Sequence, residues 1–435
     1  MSIRHRRRQH PVGQGFFHSG DLYESNVGRQ LLYVVDCGSK AKHRLSREKQ
    51  IDDFVHGVGA GDVIDLLLVS HVHEDHISGI ERLLDSTTGL KVDTIMLPLT
   101  TLEERLIAFA RSVDEDGEAS ENAFYRRFVL SPEAALSELD PRQIILVRSG
   151  SPDDGAPGRT GEPLSPFPGD EGDRDRETIK TPRDWKLVGA GEFERRDGVP
   201  TSSGDVAQIV VLPDSAGIAV PGAVDWEWLV APYVDPKVQS GITKFERKLA
   251  RCLGTPVANL RTQLNSVTYV QDLLVKHVAE LTTAYKAVAS DLNVTSMCVY
   301  SGPARSNSTR EHWLIRSDYG WRPYSRPGRI GWLGTGDAAL KEKIRLDPLL
   351  HHYGQHLDCV GTLTMPHHGS DANFHPALLD GVNPSLCVAA AAKYSNWRHP
   401  GTDVVQSVAS RGVILKVATD DERSAVVEWI ETINI

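Results

Sequence analysis

Three imidazoles and an acid fall within six residues at His71-Val72-His73-Glu74-Asp75-His76, directly after the apolar run Ile64-Asp65-Leu66-Leu67-Leu68-Val69. A fold that accepts this stretch must end a buried strand at a polar cleft. Alternation puts His71 and His73 on one side of an extended turn, while Asp75 and His76 fall on the next bend and reach a second ion. Nitrogen and oxygen donors of this kind suit Zn²⁺ or a similar borderline cation such as Mn²⁺, whereas the imidazole count disfavours Ca²⁺ and Mg²⁺. The bland alternative is a solvated histidine-rich turn that binds nothing. It fits poorly with four ligand-type residues at the edge of an apolar run.

The run His-x-His-x-Asp-His resembles the signature of the metallo-β-lactamase superfamily, here followed by Ile77-Ser78-Gly79 and a helical register of Ile77, Ile80, Leu83 and Leu84. That resemblance implies an α/β fold, a four-layer αβ/βα sandwich, and hydrolysis by a metal-bridging hydroxide. It also implies that Asp36, ending Val34-Val35-Asp36-Cys37-Gly38, supports the metal site from behind its ligands. Two Zn²⁺ ions need about seven protein contacts, so further ligands must come from the far half of the chain. In Trp332-Leu333-Gly334-Thr335-Gly336-Asp337 the resemblance makes Asp337 the carboxylate that bridges both ions. In Thr364-Met365-Pro366-His367-His368-Gly369-Ser370 one histidine ligates metal and the other faces substrate. The residues alone leave that choice open; we assign His367 to the metal with His71, His73, Asp75, His76 and Asp337, and His368 to catalysis with Asp75 and His399. No unambiguous histidine lies between the first cluster and Asp337, since His312 sits in a polar stretch.

Within the superfamily the chain resembles the soluble hydrolase domain of competence DNA-uptake channel proteins. The landmarks are Val12-Gly13-Gln14-Gly15, Asn293-x-x-Ser296, the Thr-Gly-Asp turn, the His-His-Gly-Ser run and Tyr394-Ser395-Asn396-Trp397-Arg398-His399-Pro400, then Val413-Ile414-Leu415 leading to Thr419-Asp420. Two positions depart from that pattern: Phe16 stands where an acid is usual, and Asn373 where a Ser or Thr is usual.

Composition bounds the rest. With 435 residues, 40% of them hydrophobic, the chain can bury one large core and a smaller appendage. It has no run of about 18 apolar residues, and its first residues lack the apolar stretch of a secretory signal, so no membrane span is expected. Five scattered cysteines without Cys-x-x-Cys pairing fit a reducing cytoplasm. A net charge of −10 argues against a simple nucleic-acid binder, although two divalent ions would make the site itself positive. Arg4-His5-Arg6-Arg7-Arg8 reads as a disordered, solubilising terminus rather than a nucleic-acid arm.

Residues 1–100 and 291–435 read as the two halves of the fold, separated by an insertion over 101–290. The insertion contains a Pro, Gly and charge-rich segment at 150–200 and carries a long helical stretch from about Leu264 to Leu292, a candidate lid. Three functions follow: a phosphodiesterase or nuclease on DNA, RNA or a nucleotide; a hydrolase of a small carboxylic ester, lactone or thioester; or an inactive, metal-stabilised interaction module. Intact Asp75 and Asp337 favour the enzymes. Arg398, beside His399, is the cation expected to contact substrate.

Overall fold

The computed structural model describes residues 2–25, 27–59, 61–150, 155–157, 185–189, 191–221, 227–235, 239–287, 295–304, 310–317, 320–323, 329–392 and 398–433. Its strands are β1 (Ser2–Gln9), β2 (Phe17–Glu24), β3 (Gly28–Cys37), β4 (Val63–Leu68), β5 (Lys91–Pro98), β6 (Gln143–Arg148), β7 (Lys186–Gly189), β8 (Glu194–Pro200), β9 (Val206–Pro213), β10 (Ala216–Pro221), β11 (Glu227–Val234), β12 (Met297–Pro303), β13 (Arg310–Ser317), β14 (Gly320–Pro323), β15 (Gly331–Gly334), β16 (Val360–Thr364), β17 (Leu386–Ala390), β18 (Ile414–Ala418) and β19 (Val426–Ile433). They form an 11-stranded sheet in the order β14-β13-β19-β1-β2-β3-β4-β5-β6-β9-β8 and an 8-stranded sheet in the order β18-β17-β16-β15-β12-β11-β10-β7.

Period-two alternation explains how these sheets stack. On β3, Leu32 and Val34 enter one core while Leu31, Tyr33 and Val35 enter another; on β4, Leu67 parts in the same way from Leu66 and Leu68. The second core lies between the sheets, where Tyr33, Leu66 and Ile145 meet Trp228, Val299 and Trp332. The first core packs the outer face of the larger sheet on helices through Ile51, Phe54, Leu106, Phe109 and Leu281. A third packs the smaller sheet on helices through Leu346, Leu349, Leu378 and Val404. Four layers with three cores make the αβ/βα sandwich of metallo-β-lactamase type. Strands β3 to β6, parallel and covered on both faces, are therefore mostly apolar in sequence, with the buried Asp65, Asp93 and Thr94 as polar exceptions.

Three expectations change. The arginine-rich start is not a disordered terminus. It is β1, paired with both β2 and β19, and alternation sends His5, Arg7 and Gln9 inward while Arg4 and Arg6 face out. Arg7 is fully buried and is held by Glu428 Oε2 at 2.7 Å and by the Ile330 carbonyl at 2.8 Å. Breaking such a buried pair costs about 3–5 kcal/mol. The range 101–290, expected as an insertion, supplies β6, β8 and β9 to one sheet and β7, β10 and β11 to the other. What lies between the neighbouring strands β11 and β12 is a helical excursion, packed against the helix Leu102–Glu115. Within it the helix expected from Leu264 to Leu292 is broken into Val267–Lys276 and Val278–Lys286, because the Ser266 hydroxyl caps the Tyr269 N–H and His277 leaves helical geometry; residues 288–292 lie outside the described residues. Most of the Pro, Gly and charge-rich segment lies outside the described residues. No helix among the described residues is long and apolar enough to cross a membrane.

Candidate metal centre

Parallel strands deliver the site residues at their carboxyl ends, where ligands bind in open α/β sheets. β3 carries Asp36 next to its end, β4 leads to His71, β15 to Asp337 and β16 to the His367–His368 turn. After β4 the chain stays extended through His73 and then enters the short helix Glu74–Ile77, which carries Asp75 and His76. Two close approaches hold this turn down. Gly38 lies under it, where a Cβ would stand 2.5 Å from the His76 carbonyl carbon. At Gly336 a left-handed φ of 49° and Ser296 Oγ at 2.6 Å from a built Cβ leave room only for glycine in the Thr-Gly-Asp turn.

The donor atoms fall into two groups. In the first, His71 Nε2 lies 2.9 Å from His73 Nδ1. Asp337 Oδ2 is 3.3 Å from the former and 3.5 Å from the latter. In the second, Asp75 Oδ2 is 3.4 Å from His368 Nε2, and His76 Nε2 is 4.0 Å from Asp75 Oδ1. Asp337 Oδ1 faces this second group, 3.5 Å from His76 Nε2 and 3.9 Å from His368 Nε2. Donors bound at 2.0–2.1 Å around a tetrahedral ion stand about 3.3 Å apart, so these spacings fit one ion per group. His71, His73 and Asp337 form one such triad, and Asp75, His76 and His368 the other. Asp337 turns one oxygen to each.

Buried atoms support the same reading. His76 Nε2 and Asp337 Oδ1 are buried and make no hydrogen bond among the described residues, an arrangement that costs free energy unless a cation takes the lone pairs. Burial would raise the Asp75 and Asp337 carboxyls, yet the surrounding imidazoles hold both well below their ordinary values. His71 is pushed down to about 4 by burial and by His76. His76 rises well above its ordinary value despite its burial, because Asp36 and Asp337 attract its proton. An ion among those carboxylates displaces that proton, so binding is linked to pH.

Groups behind the ligands set their direction. The Ser70 N–H and hydroxyl donate to Asp36 at 2.7 and 2.6 Å, and Asp36 Oδ2 accepts from His76 Nδ1 at 2.8 Å. The role expected for Asp36 thus has its contact. Ser70 Oγ also lies 2.9 Å from His71 Nδ1, which leaves the Nε2 atoms of both rings for the cleft.

The two histidines after β16 are not equivalent. His368 Nδ1 donates to the Ala390 carbonyl at 2.8 Å, which frees Nε2 for Asp75 and Asp337. His367 Nδ1 meets Asn373 Oδ1 at 2.9 Å, and its Nε2 accepts from Arg111 Nη2 at 2.8 Å. His368 is thus the histidine grouped with Asp75 and His76, whereas His367 Nε2, 3.5 Å from Asp337 Oδ2, is shared with Arg111; these spacings favour His368 as the ligand over the His367 chosen from sequence. His399 stacks near both, with ring centroids 6.0 Å from His367 and 6.4 Å from His368. Burial and the neighbouring His368 push it down to about 4, so it is a neutral ring at neutral pH.

The departures from the resembled pattern also have places. The Phe16 ring lies parallel to His76 at 5.9 Å, and its N–H donates to the Asp75 carbonyl at 3.1 Å. Asn373 orients His367. Arg398 is exposed and left-handed, with a φ of 49°. Tyr394 to Trp397 and Asn293 lie outside the described residues, as does the side chain of His312. Sequence reasoning missed Arg111, Glu115, Lys40 and Ser70. For Arg111 and Glu115 the signal was an opposite-charge pair four residues apart on a helix; it went unread because the range was set aside as an insertion.

No family model matches the chain, and no curated protein does. Among solved structures, the crystal structure of unliganded yeast PDE1 aligns over 98% of this chain and 99% of its own length, at 10% identity and a TM-score of 0.38. A beta-lactamase domain protein from Burkholderia ambifaria aligns over 29% of this chain and 37% of its own, at 20% identity and a TM-score of 0.17. The fold assignment stands on the layers and sheets themselves.

Proposed function

We propose that the chain is a hydrolase dependent on two divalent transition ions, Zn²⁺ or Mn²⁺, and that its substrate is a phosphodiester in DNA, RNA or a nucleotide. The observation that carries this is the bridge: two ligand triads share Asp337, one oxygen facing each. Ions held there would supply an activated water at neutral pH and positive charge where the phosphoryl oxygens become more negative. The protein then needs no side-chain nucleophile. His71, His73 and Asp337 hold one position; Asp75, His76, His368 and Asp337 hold the other. Asp36 and Ser70 keep the rings turned into the cleft, and His399, whose ring stands 6.4 Å from that of His368, is the group that could protonate a leaving oxygen. The resemblance of the motif supports the same chemistry.

The test is to load the purified protein with Zn²⁺ or Mn²⁺ and assay bis-(p-nitrophenyl) phosphate, single-stranded and duplex nucleic acids, and an ester panel. Elemental analysis should find between one and two equivalents of metal, with phosphodiester cleavage lost on chelation. A protein that takes up no metal overturns the site. Ester cleavage with no phosphodiester cleavage overturns the substrate class.

A further inference from the structure

Arg111 lies just before the last turn of the helix Leu102–Glu115, and its guanidinium reaches across to the second ligand turn. Nε donates to Glu115 Oε1 at 2.9 Å and Nη2 to His367 Nε2 at 2.8 Å. Both partners are themselves fixed: Asn373 holds the other side of His367, and Lys40 Nζ holds Glu115 Oε2 at 3.0 Å. Two cations thus lean on one carboxylate, which leaves an excess of positive charge beside the metal groups. Nη1 makes no hydrogen bond among the described residues, and the side chain keeps 15% of its surface open. An arginine needed only as a brace would turn its remaining donors to protein acceptors. This one is pinned at two corners of its fork beside His367, with Nη1 left over, the arrangement that suits an oxyanion.

We propose that Arg111 is the anion-holding residue of this cleft, donating from Nη1 to a non-bridging oxygen of a phosphate ester set against the two metal groups, with Glu115, His367 and Lys40 fixing its position. The ester as natural ligand rests on the phosphodiester reading above; the anion site itself is tested apart from it, with inorganic phosphate.

Inorganic phosphate is titrated calorimetrically into metal-loaded and chelator-treated protein, for the wild type, Arg111→Gln and Arg111→Lys. Loss of a charge-assisted hydrogen bond predicts that Arg111→Gln weakens phosphate binding about 10- to 100-fold. Arg111→Lys should recover part of it, with metal content by elemental analysis unchanged in both. In the wild type, phosphate should slow modification of Arg111 by phenylglyoxal, read by peptide mass spectrometry; this arm needs no variant to fold. Phosphate affinity within twofold of wild type in Arg111→Gln, or Arg111 modified at equal rates with and without phosphate, overturns the proposal. Phosphate binding that depends on Arg111 in a protein that cleaves no phosphodiester supports the anion site and overturns the substrate reading alone.

Discussion

The turn after β4 and the turn after β16 do the same work by different means. Between His71 and His76 the backbone stays ordinary: His73 is extended, with φ −76° and ψ 148°, and a short helix follows. Side-chain direction there follows from alternation. Between Pro366 and Gly369 it does not, because His367 and His368 are consecutive left-handed residues with φ of 47° and 58°. Each such residue costs about 1–3 kcal/mol, held here by the surroundings. The His367 N–H donates to the Gly336 carbonyl at 2.9 Å, and the Gly401 N–H to the Gly369 carbonyl at 2.8 Å. A ligand turn of regular backbone announces which side chains converge. A strained one announces only that something does.

Asp337 belongs to neither turn and serves both, so its loss should have the largest effect. Asp337→Ala is expected to lower metal affinity and phosphodiester cleavage by more than about 100-fold, the upper end of what mutating a mere supporting group costs. Near wild-type metal content in elemental analysis would show that the two groups do not share a bridge.

The contrast between the adjacent histidines is the sharpest way to break the comparison. His368→Ala should lose about one equivalent of metal, whereas His367→Ala should keep its metal and change rate or KM instead. The opposite pattern would restore the assignment made from sequence. On the other turn, Asp36→Asn removes the acceptor behind His76 and should weaken metal binding by about 10- to 100-fold while the first triad keeps its ion; a metal titration unchanged from wild type would leave Asp36 a purely structural residue.

Glu115 acts on the second turn at one remove and should have the smallest catalytic effect, but one with a pH signature. Burial alone would raise its carboxyl; Arg111 and Lys40 outweigh that and hold it at about 2, against an ordinary value of 4.5. The folded value is the lower one, so the stabilisation is complete above the unfolded value and disappears as the pH falls from about 4.5 toward 2. Its ceiling is about 3 kcal/mol. Urea unfolding should show Glu115→Gln less stable than wild type at pH 7, with the gap closing toward pH 2.5. A gap independent of pH would mean that the Arg111–Glu115 contact contributes packing and little charge.

The sequence reached the fold through the resemblance of its histidine motif, and the direction of His71 and His73 through regular strand geometry. The apolar runs of β3 and β4 signal strands covered on both faces, and His71 and His73 inherit their direction from such a strand. Asp337 came through the resemblance of the Thr-Gly-Asp turn. Arg7 was misread because a run of arginines suggests solvent until its alternation with His5 and Gln9 is weighed. Arg111 was missed because its partner His367 is 256 residues away and no local pattern joins them. The order of His367 and His368 was beyond reach, since it is decided by two backbone angles that tertiary contacts impose.

The pairing of β1 with β19 has a consequence for how the chain acquires its structure. β1 is flanked by β2 on one side and by β19, more than 400 residues later, on the other. Until β19 emerges from the ribosome, one edge of β1 exposes a row of unpaired peptide groups, and Arg7 is without its Glu428 counter-charge. Closing a loop of that size makes the assembly slow and of high contact order. The nascent chain therefore passes through a long interval with an open strand edge, during which it depends on chaperones or on speed to avoid pairing with its neighbours.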